Sequence, residues 1–289
     1  MNGMDDRSHT TTAGLPTWDS LAHMDDDALP LLGTALLIAR DEYPQLQAAS
    51  YDTLVQGYAD ALREQVGAQE SAPARMAVIN RFVFDELGFG GNFESYGDPR
   101  NSYLNDVFDR KLGIPLSLAL VQMEVARRLD VPLDGISFPG HFLVRLPVDD
   151  GILVMDPFNK GRSLSADELR ERVRVHCDGH APDDNELLHI LAPASHRTIL
   201  LRMLRNLKAL YADRGDWERV ARSSDRLLKI SPGLGEEVRD RGLAYLKMGH
   251  ITGARDDLTR YLHAQPEAED ADAVHAVLIE ATAKAQRPN

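Results

Sequence analysis

The sequence predicts an α+β domain followed by an all-helical tail, and three patterns along the chain support this fold class. Apolar residues recur every three or four positions as far as Asp130, which is typical of amphipathic helices. After Pro132 the period falls to about two, which is typical of strands. From His196 onward the spacing is helical again and repeats itself, so helices flank one small sheet.

The helices before the sheet are marked by caps and prolines. Pro44 ends the first, a second follows it, and a third begins after Ser71 with Pro73 in its first turn. A fourth ends at Gly113, and a fifth begins near Pro115. The apolar face of the fifth contains Leu116, Ala119, Leu120, Met123, Ala126 and Leu129. We therefore predict a helical layer that packs on the sheet.

Three short apolar segments, "DGISF", "HFLVRLPV" and "GILVMDP", predict an antiparallel sheet. A turn centred on Asp149 joins the last two, so opposed residues should have numbers that add up to about 298. His141 and Asp156 add up to 297. We therefore expect them opposite each other or one position off, with Cβ atoms about 5 Å apart.

The tail contains an internal repeat. Several residues recur 34 positions later: Tyr211 and Tyr245, Gly215 and Gly249, Leu228 and Leu262, and Pro232 and Pro266. This is the period of the tetratricopeptide repeat, a helix–turn–helix unit. We predict a mobile tail over residues 1–18, the α+β domain over 19–192, and two repeats with a terminal helix over 193–289.

Charge and composition exclude several classes of partner. The net charge is −13, and it divides unevenly: residues 1–195 hold 16 basic and 31 acidic side chains (net −15), and residues 196–289 hold 16 and 14 (net +2). An acidic surface repels nucleic acid and anionic membranes, so we expect neither as a partner. The single cysteine, Cys177, and the absence of a signal-like or membrane-spanning segment predict a cytoplasmic protein.

The His141–Asp156 pair has two interpretations. The carboxylate could orient the imidazole as the third member of a nucleophile–base–orienter triad, or the two could form a hydrogen-bonded pair that fixes the strand register. A catalytic cysteine would lie at the start of a core helix, but the helix at Pro115 has none. The nearest hydroxyl there is Ser117, which is either a nucleophile or a first-turn serine that accepts a free backbone N–H.

The motifs "RNSYLNDV", "GIPLSL", "FPGHFLVR" and "DPFN" resemble those of bacterial transglutaminase-like proteins fused to tetratricopeptide repeats, the SirB-type invasion regulators. The resemblance spans roughly residues 30–270 and implies a truncated papain-like core with a helical repeat tail. It matches His141 with the superfamily histidine and Asp156 with its aspartate. Ser117 stands near the position of the cysteine, so the resemblance implies a degenerate triad.

Other polar residues in these motifs are candidates for the lining of a cleft beside His141. They are Asn101, Tyr103, Arg145 and Asn159. The segment "HCDGH", from His176 to His180, contains His176, Cys177 and Asp178, but it lacks a second ligand cluster, so we expect no metal site. No other motif indicates a cofactor.

Two functions are consistent with this sequence. The first is an interaction or regulatory protein, in which a degenerate domain holds a protein or peptide and the repeats either dock a partner or buttress the core. The second is a hydrolase or acyltransferase that uses Ser117, His141 and Asp156. The sequence does not specify the partner, the substrate or the oligomeric state.

Overall fold

A computed structural model of the chain describes residues 15–176, 179 and 181–285. Most of the predicted 1–18 tail lies outside the described residues, but Trp18 begins the first helix. The helices before the tail are α1 Trp18–Leu21, α2 Leu31–Arg40, α3 Ala48–Gly67, α4 Ala72–Asn80, α5 Leu104–Arg110, α6 Pro115–Arg128, α7 Ala166–His176 and α8 Asp184–Ile190. The helices of the tail are α9 His196–Asp213, α10 Trp217–Ile230, α11 Gly235–Lys247, α12 Ile251–Ala264 and α13 Ala271–Ala285.

Four antiparallel strands form the main sheet, in the order β3-β4-β5-β6. They are β3 Asp134–Ile136, β4 Leu143–Val148, β5 Gly151–Asp156 and β6 Arg162–Ser163. Val144, Leu146 and Met155 on one face belong to the main core with α6, and Leu143 and Val154 on the other face pack with α7 and α8. The predicted α+β class, helices packed on a small antiparallel sheet and followed by a helical tail, is confirmed.

The hairpin register differs by one from the prediction. Val144 pairs with Met155 and Val148 with Gly151, so opposed residues add up to 299, because Asp149 and Asp150 share the turn. Continuing this register places Leu143 opposite Asp156. His141 therefore lies two residues before that position, in the turn that precedes β4.

A short parallel pair, β1 Gly90–Gly91 and β2 Leu112–Gly113, joins two distant parts of the chain. Backbone N–H of Asn92 donates to the carbonyl of Gly113 at 3.0 Å, which fixes the loop after β1 beside the start of α6. The bridge therefore brings the 92–98 loop to the helix that contains Ser117.

The tail repeats with the period that the sequence predicts. Helix α12 begins and ends 34 residues after α10, and α11 ends 34 residues after α9. Gly215 and Gly249 follow α9 and α11 with φ of 68° and 78°, the left-handed conformation that ends a helix and favours glycine. Helices α9 and α10 pack into the main core, whereas Val238, Leu258, Tyr261 and Val274 form a separate cluster in α11–α13.

Candidate functional site

His141 and Asp156 are in direct contact at the edge of the sheet. Gly140, with φ of 65°, turns the chain, and the backbone N–H of His141 donates to the carbonyl of Phe138 at 3.2 Å. This turn directs the imidazole toward the end of β5, where its Nε2 lies 2.8 Å from Oδ1 of Asp156. The imidazole is partly exposed and the carboxylate is fully buried. The other ring nitrogen, Nδ1, is thus left for a different contact.

Asp156 is held as a carboxylate. Its Oδ1 also accepts the backbone N–H of Phe158 at 3.1 Å, and its Oδ2 accepts Nδ2 of Asn159 at 2.7 Å and Nη1 of Arg172 at 3.0 Å. Burial alone would raise the pKa of Asp156. The bonds and charge of His141, together with the donors from Asn159 and Arg172, outweigh that effect and lower the pKa well below its usual value. The carboxylate therefore stays ionised near neutral pH.

Three aromatic rings adjoin the pair. Phe158 lies edge-on to the His141 ring at 6.2 Å, and its other neighbours are Phe93 at 4.5 Å and Tyr96 at 5.8 Å between ring centres. Phe93 is 70% exposed and Tyr96 is 52% exposed. Gly91 permits this arrangement, because a Cβ at that position would lie 2.5 Å from the Phe158 ring. An exposed aromatic surface therefore lies beside the imidazole.

Ser117 is fully buried in the first turn of α6. Its Oγ donates to the carbonyl of Asn101 at 2.6 Å, and the carbonyl of Ile114 is a second, longer acceptor at 3.1 Å. The same Oγ accepts the backbone N–H of Ile114 at 3.0 Å. These contacts use both the proton and an acceptor site of the hydroxyl. The described hydrogen bonds of Ser117 all go to backbone groups, so the structure does not join it to His141.

Asn101 organises the loop that contains the exposed aromatic residues. It is fully buried, and its amide donates to the carbonyls of Ser95 at 2.7 Å and Tyr96 at 3.2 Å. Its own Oδ1 accepts from Asn92 at 3.0 Å. Asn101 therefore links the 92–98 loop to the start of α6 from beneath.

The other predicted cleft residues are placed differently. Asn159 is exposed and contacts Asp156 directly. Tyr103 is buried, and its hydroxyl lies 2.8 Å from that of Tyr211; burial and this bond raise its pKa well above the usual range. Arg145 donates to the carbonyl of Leu191 at 2.7 Å, at the end of α8. The structure thus groups Asn159 with the His–Asp pair and turns Tyr103 and Arg145 toward the helices.

Sequence reasoning missed Arg172, Phe93, Tyr96 and Phe158. Arg172 lies on α7, which follows the sheet and folds back over the end of β5. No local pattern signals this return, because it depends on tertiary packing. Phe158 stands two residues after Asp156 in the "DPFN" motif, and this short spacing was the one sequence feature that could have indicated its place beside the His–Asp pair.

The described residues contain no group of three or more His, Cys, Asp or Glu side chains that could hold a metal ion. Cys177, Asp178 and His180 of the "HCDGH" segment lie outside the described residues, whereas the ring of His176 lies against Gly140. Within the part of the chain that the structure describes, no helix combines the length and apolar character needed to cross a bilayer.

The site thus combines an oriented imidazole, an ionised carboxylate and exposed aromatic rings on a helix-and-sheet frame. Comparison with known proteins defines the class to which this arrangement belongs. Residues 49–205 match the model of the transglutaminase-like superfamily, and residues 207–278 match that of the tetratricopeptide repeat. The chain belongs to the transglutaminase-like superfamily and contains tetratricopeptide repeats.

Relatives from bacteria define the family more narrowly. The chain is 61% identical to a UPF0162 protein of Xylella fastidiosa (strain 9a5c), over 92% of this chain and 95% of the relative. It is 33% identical to a UPF0162 protein of Pseudomonas aeruginosa, over 80% and 83%, and 27% identical to one of Escherichia coli K12, over 89% and 94%. The chain therefore belongs to the UPF0162 family. No solved structure matches it.

Proposed function

We propose that this protein is an interaction or regulatory protein whose transglutaminase-like domain is catalytically degenerate and binds a protein or peptide beside His141. One observation supports this most directly. The hydroxyl nearest to the expected position of the nucleophile, that of Ser117, is buried and bonded to Asn101 and Ile114, whereas the His141–Asp156 pair is intact. A base without a bonded nucleophile can still accept a hydrogen bond from a ligand.

The surface beside the pair favours a protein ligand. Phe93 and Tyr96 expose most of their rings, and exposed aromatic side chains that rest on a rigid base are frequent anchors of protein interfaces. Phe158 supplies that base, since it packs against both rings and against His141. A peptide could place an apolar side chain on these rings and a donor group at the imidazole.

The repeats extend this proposal. Tetratricopeptide repeats generally mediate protein–protein interaction. Here the first repeat packs into the main core, whereas Val277 and Ile279 on the terminal helix α13 are exposed, so we assign buttressing to the first repeat and docking to the second repeat together with α13. The 19–192 and 193–289 boundaries, the cytoplasmic location and the SirB-type regulatory role belong to the same proposal.

Peptide selection tests the proposed binding site. Peptides selected from a random library on the intact protein are measured by calorimetry against wild type, Phe93→Ala, Tyr96→Ala and the control Leu188→Ala, at an exposed apolar residue of α8. Loss of an anchoring ring should weaken binding at least about tenfold, whereas the control should bind like wild type. Equal affinity for all four proteins would show that the peptides bind elsewhere and would contradict the proposal.

The intact His–Asp pair favours one alternative, a serine-dependent hydrolase or acyltransferase that uses Ser117, His141 and Asp156. It requires the Ser117 hydroxyl to exchange its backbone contacts for the imidazole. A fluorophosphonate probe distinguishes the two functions. We expect no labelling; labelling of wild type that Ser117→Ala abolishes would replace the interaction function with the enzymatic one.

A further inference from the structure

Helix α9 of the first repeat reaches the loop that contains His141 through one side chain. Nη1 of Arg202 donates to Oγ of Ser137 at 2.8 Å and to the carbonyl of Phe138 at 3.0 Å, and Nη2 donates to the carbonyl of His141 at 2.6 Å. All three acceptors are uncharged oxygens of the same turn. The guanidinium also lies 5.6 Å from the centre of the Phe142 ring. Arg202 therefore spans the whole turn.

The same helix also contacts the loop on the other side of the site. Nη2 of Arg214, which follows α9, donates to the carbonyl of Gly97 at 2.9 Å, in the loop of Phe93 and Tyr96. The two arginines are twelve residues apart, which is about 18 Å along a helix. Because the apolar face of α9 is buried in the main core, the helix offers both loops a fixed support.

Apart from the buried Phe138 side chain and the His141–Asp156 bond, the 137–141 turn has few contacts of its own backbone among the described residues. It lies between β3 and β4, and its own backbone bonds are those from Phe138 to Ile136 at 2.9 Å and from His141 to Phe138 at 3.2 Å. A segment with few hydrogen bonds opens readily. The planar fork of arginine can bond two or more oxygens at once, which a lysine ammonium does less well.

We propose that Arg202 is a positioning residue of the candidate site, which holds His141 against Asp156 and makes the first repeat helix a part of that site. This inference rests on the proposed function, because holding His141 in place serves ligand binding at the candidate site. The coupling between α9 and the imidazole can nevertheless be measured without any ligand.

NMR of the full chain tests this coupling. The readouts are the downfield resonance of the His141 Nε2 proton and the exchange rates of the backbone amides in 137–141. Arg202→Met should abolish the resonance and accelerate exchange at Phe138 and His141 by about tenfold or more, because local opening becomes easier. Arg202→Lys should restore both in part. Unchanged readouts in Arg202→Met would overturn the proposal.

Two matched variants make the test specific. Arg205 lies on the same helix, but its ion pairs are with Glu236 and Glu237 of the second repeat. Arg205→Met should therefore leave the imidazole resonance unchanged. Arg214→Met should accelerate exchange in 92–98 alone. An effect of Arg205→Met equal to that of Arg202→Met would show general loosening of α9 and would contradict positioning.

The outcome remains interpretable if Arg202→Met does not fold. Ser137→Ala removes one acceptor of Arg202, at an exposed residue. It should accelerate amide exchange in the same turn, but to a smaller extent than Arg202→Met. Wild-type exchange rates in both Ser137→Ala and Arg202→Lys would overturn the proposal. Failure of the proposed function is distinguishable: the selected peptides would bind Phe93→Ala and Tyr96→Ala as tightly as wild type, yet the imidazole resonance would still respond to Arg202.

Discussion

The two repeats of the tail are similar in sequence but differ in their surroundings. In the first repeat, Leu200 and Leu204 of α9 and Leu227 of α10 belong to the same core as α2 and α6. In the second, Leu258 and Tyr261 of α12 pack mainly with their own neighbours and α13. The first repeat is therefore integrated into the transglutaminase-like region, and the second is attached to it through both helices of the first, α9 and α10.

Charge reinforces this difference. Glu42, after α2, pairs with Arg219 and Arg222 of α10, and Asp41 pairs with Arg226 at 2.7 Å. The acidic first region thus meets basic side chains of the first repeat. In the second repeat, by contrast, Gly253 replaces Arg219 and Asp256 replaces Arg222 at the equivalent positions, and Arg239 pairs within the tail, with Asp270. A repeat unit can thus serve as core in one copy and as a free surface in the next.

Truncation should have the largest effect and should distinguish the two repeats most clearly. A chain that ends at Pro232 keeps the first repeat and should unfold cooperatively, as followed by circular dichroism during heating. A chain that ends at Ser195 loses the apolar face of α9 and should show no cooperative transition, because the main core is left open. Cooperative melting of the shorter chain would show that the first repeat is dispensable.

Single substitutions that create a cavity should have the next largest effect, and this effect should differ between the two repeats. Leu200→Ala, fully buried in the main core, should lower the free energy of unfolding of the whole chain by about 4 kcal/mol in urea titrations. Leu258→Ala, equally buried, should accelerate amide exchange only in α11–α13. If Leu258→Ala instead destabilised the α6 amides as much as Leu200→Ala does, the two repeats would form one cooperative unit.

Removal of the Asp156 charge should act on the first region alone. Asp156→Asn leaves Arg172 without its carboxylate and should cost about 3 kcal/mol at pH 7. Because folding lowers the pKa of Asp156, its contribution is complete above the unfolded value of about 3.9 and is lost as the pH falls through the folded value. In urea titrations the difference between the two proteins should shrink progressively as the pH falls below about 3.9. A difference that stayed constant as the pH was lowered from about 4 toward about 2 would mean that the charge is not its source.

The smallest effect should come from the ion pairs between the regions. The Arg219 hydrogen bond, more than the opposing effect of burial, lowers the pKa of Glu42, so its contribution exists above about pH 4.3 and fades as the pH falls. Glu42→Gln should cost about 1 kcal/mol, less at high salt, because the pair is partly exposed. Glu236→Gln, in an exposed pair of the second repeat, is the control and should leave the urea midpoint unchanged.

Local patterns predicted the elements well and their contacts less well. Gly215 and Gly249 marked the ends of α9 and α11 because glycine adopts the left-handed conformation readily. The turn at Asp149 and Asp150 was found, but its centre was misjudged by half a residue, so the predicted register was wrong by one. His141 reaches Asp156 from outside the strand, through a turn that strand alternation does not describe.

The site shows the same limit. Asp156 and Asn159 were named from one short motif, and they lie together because they are only three positions apart in the chain. Arg172 and Arg202 come from helices that pack on the sheet from elsewhere in the chain, and nothing near them in sequence indicates their targets. Asn101 was expected in a cleft but is buried beneath the 92–98 loop, since its amide satisfies carbonyls of that loop.

The α+β class, the 34-residue helical period and the segments that contain the imidazole and the carboxylate follow from the sequence, because they depend on periodicity, caps and turn residues close together in the chain. Three features follow from tertiary packing instead: the first repeat joins the main core, Arg202 contacts the His141 turn, and Ser117 bonds to backbone. Such contacts depend on which buried surfaces pack against each other. The 34-residue repeat alone cannot distinguish the copy that meets the core from the copy that does not.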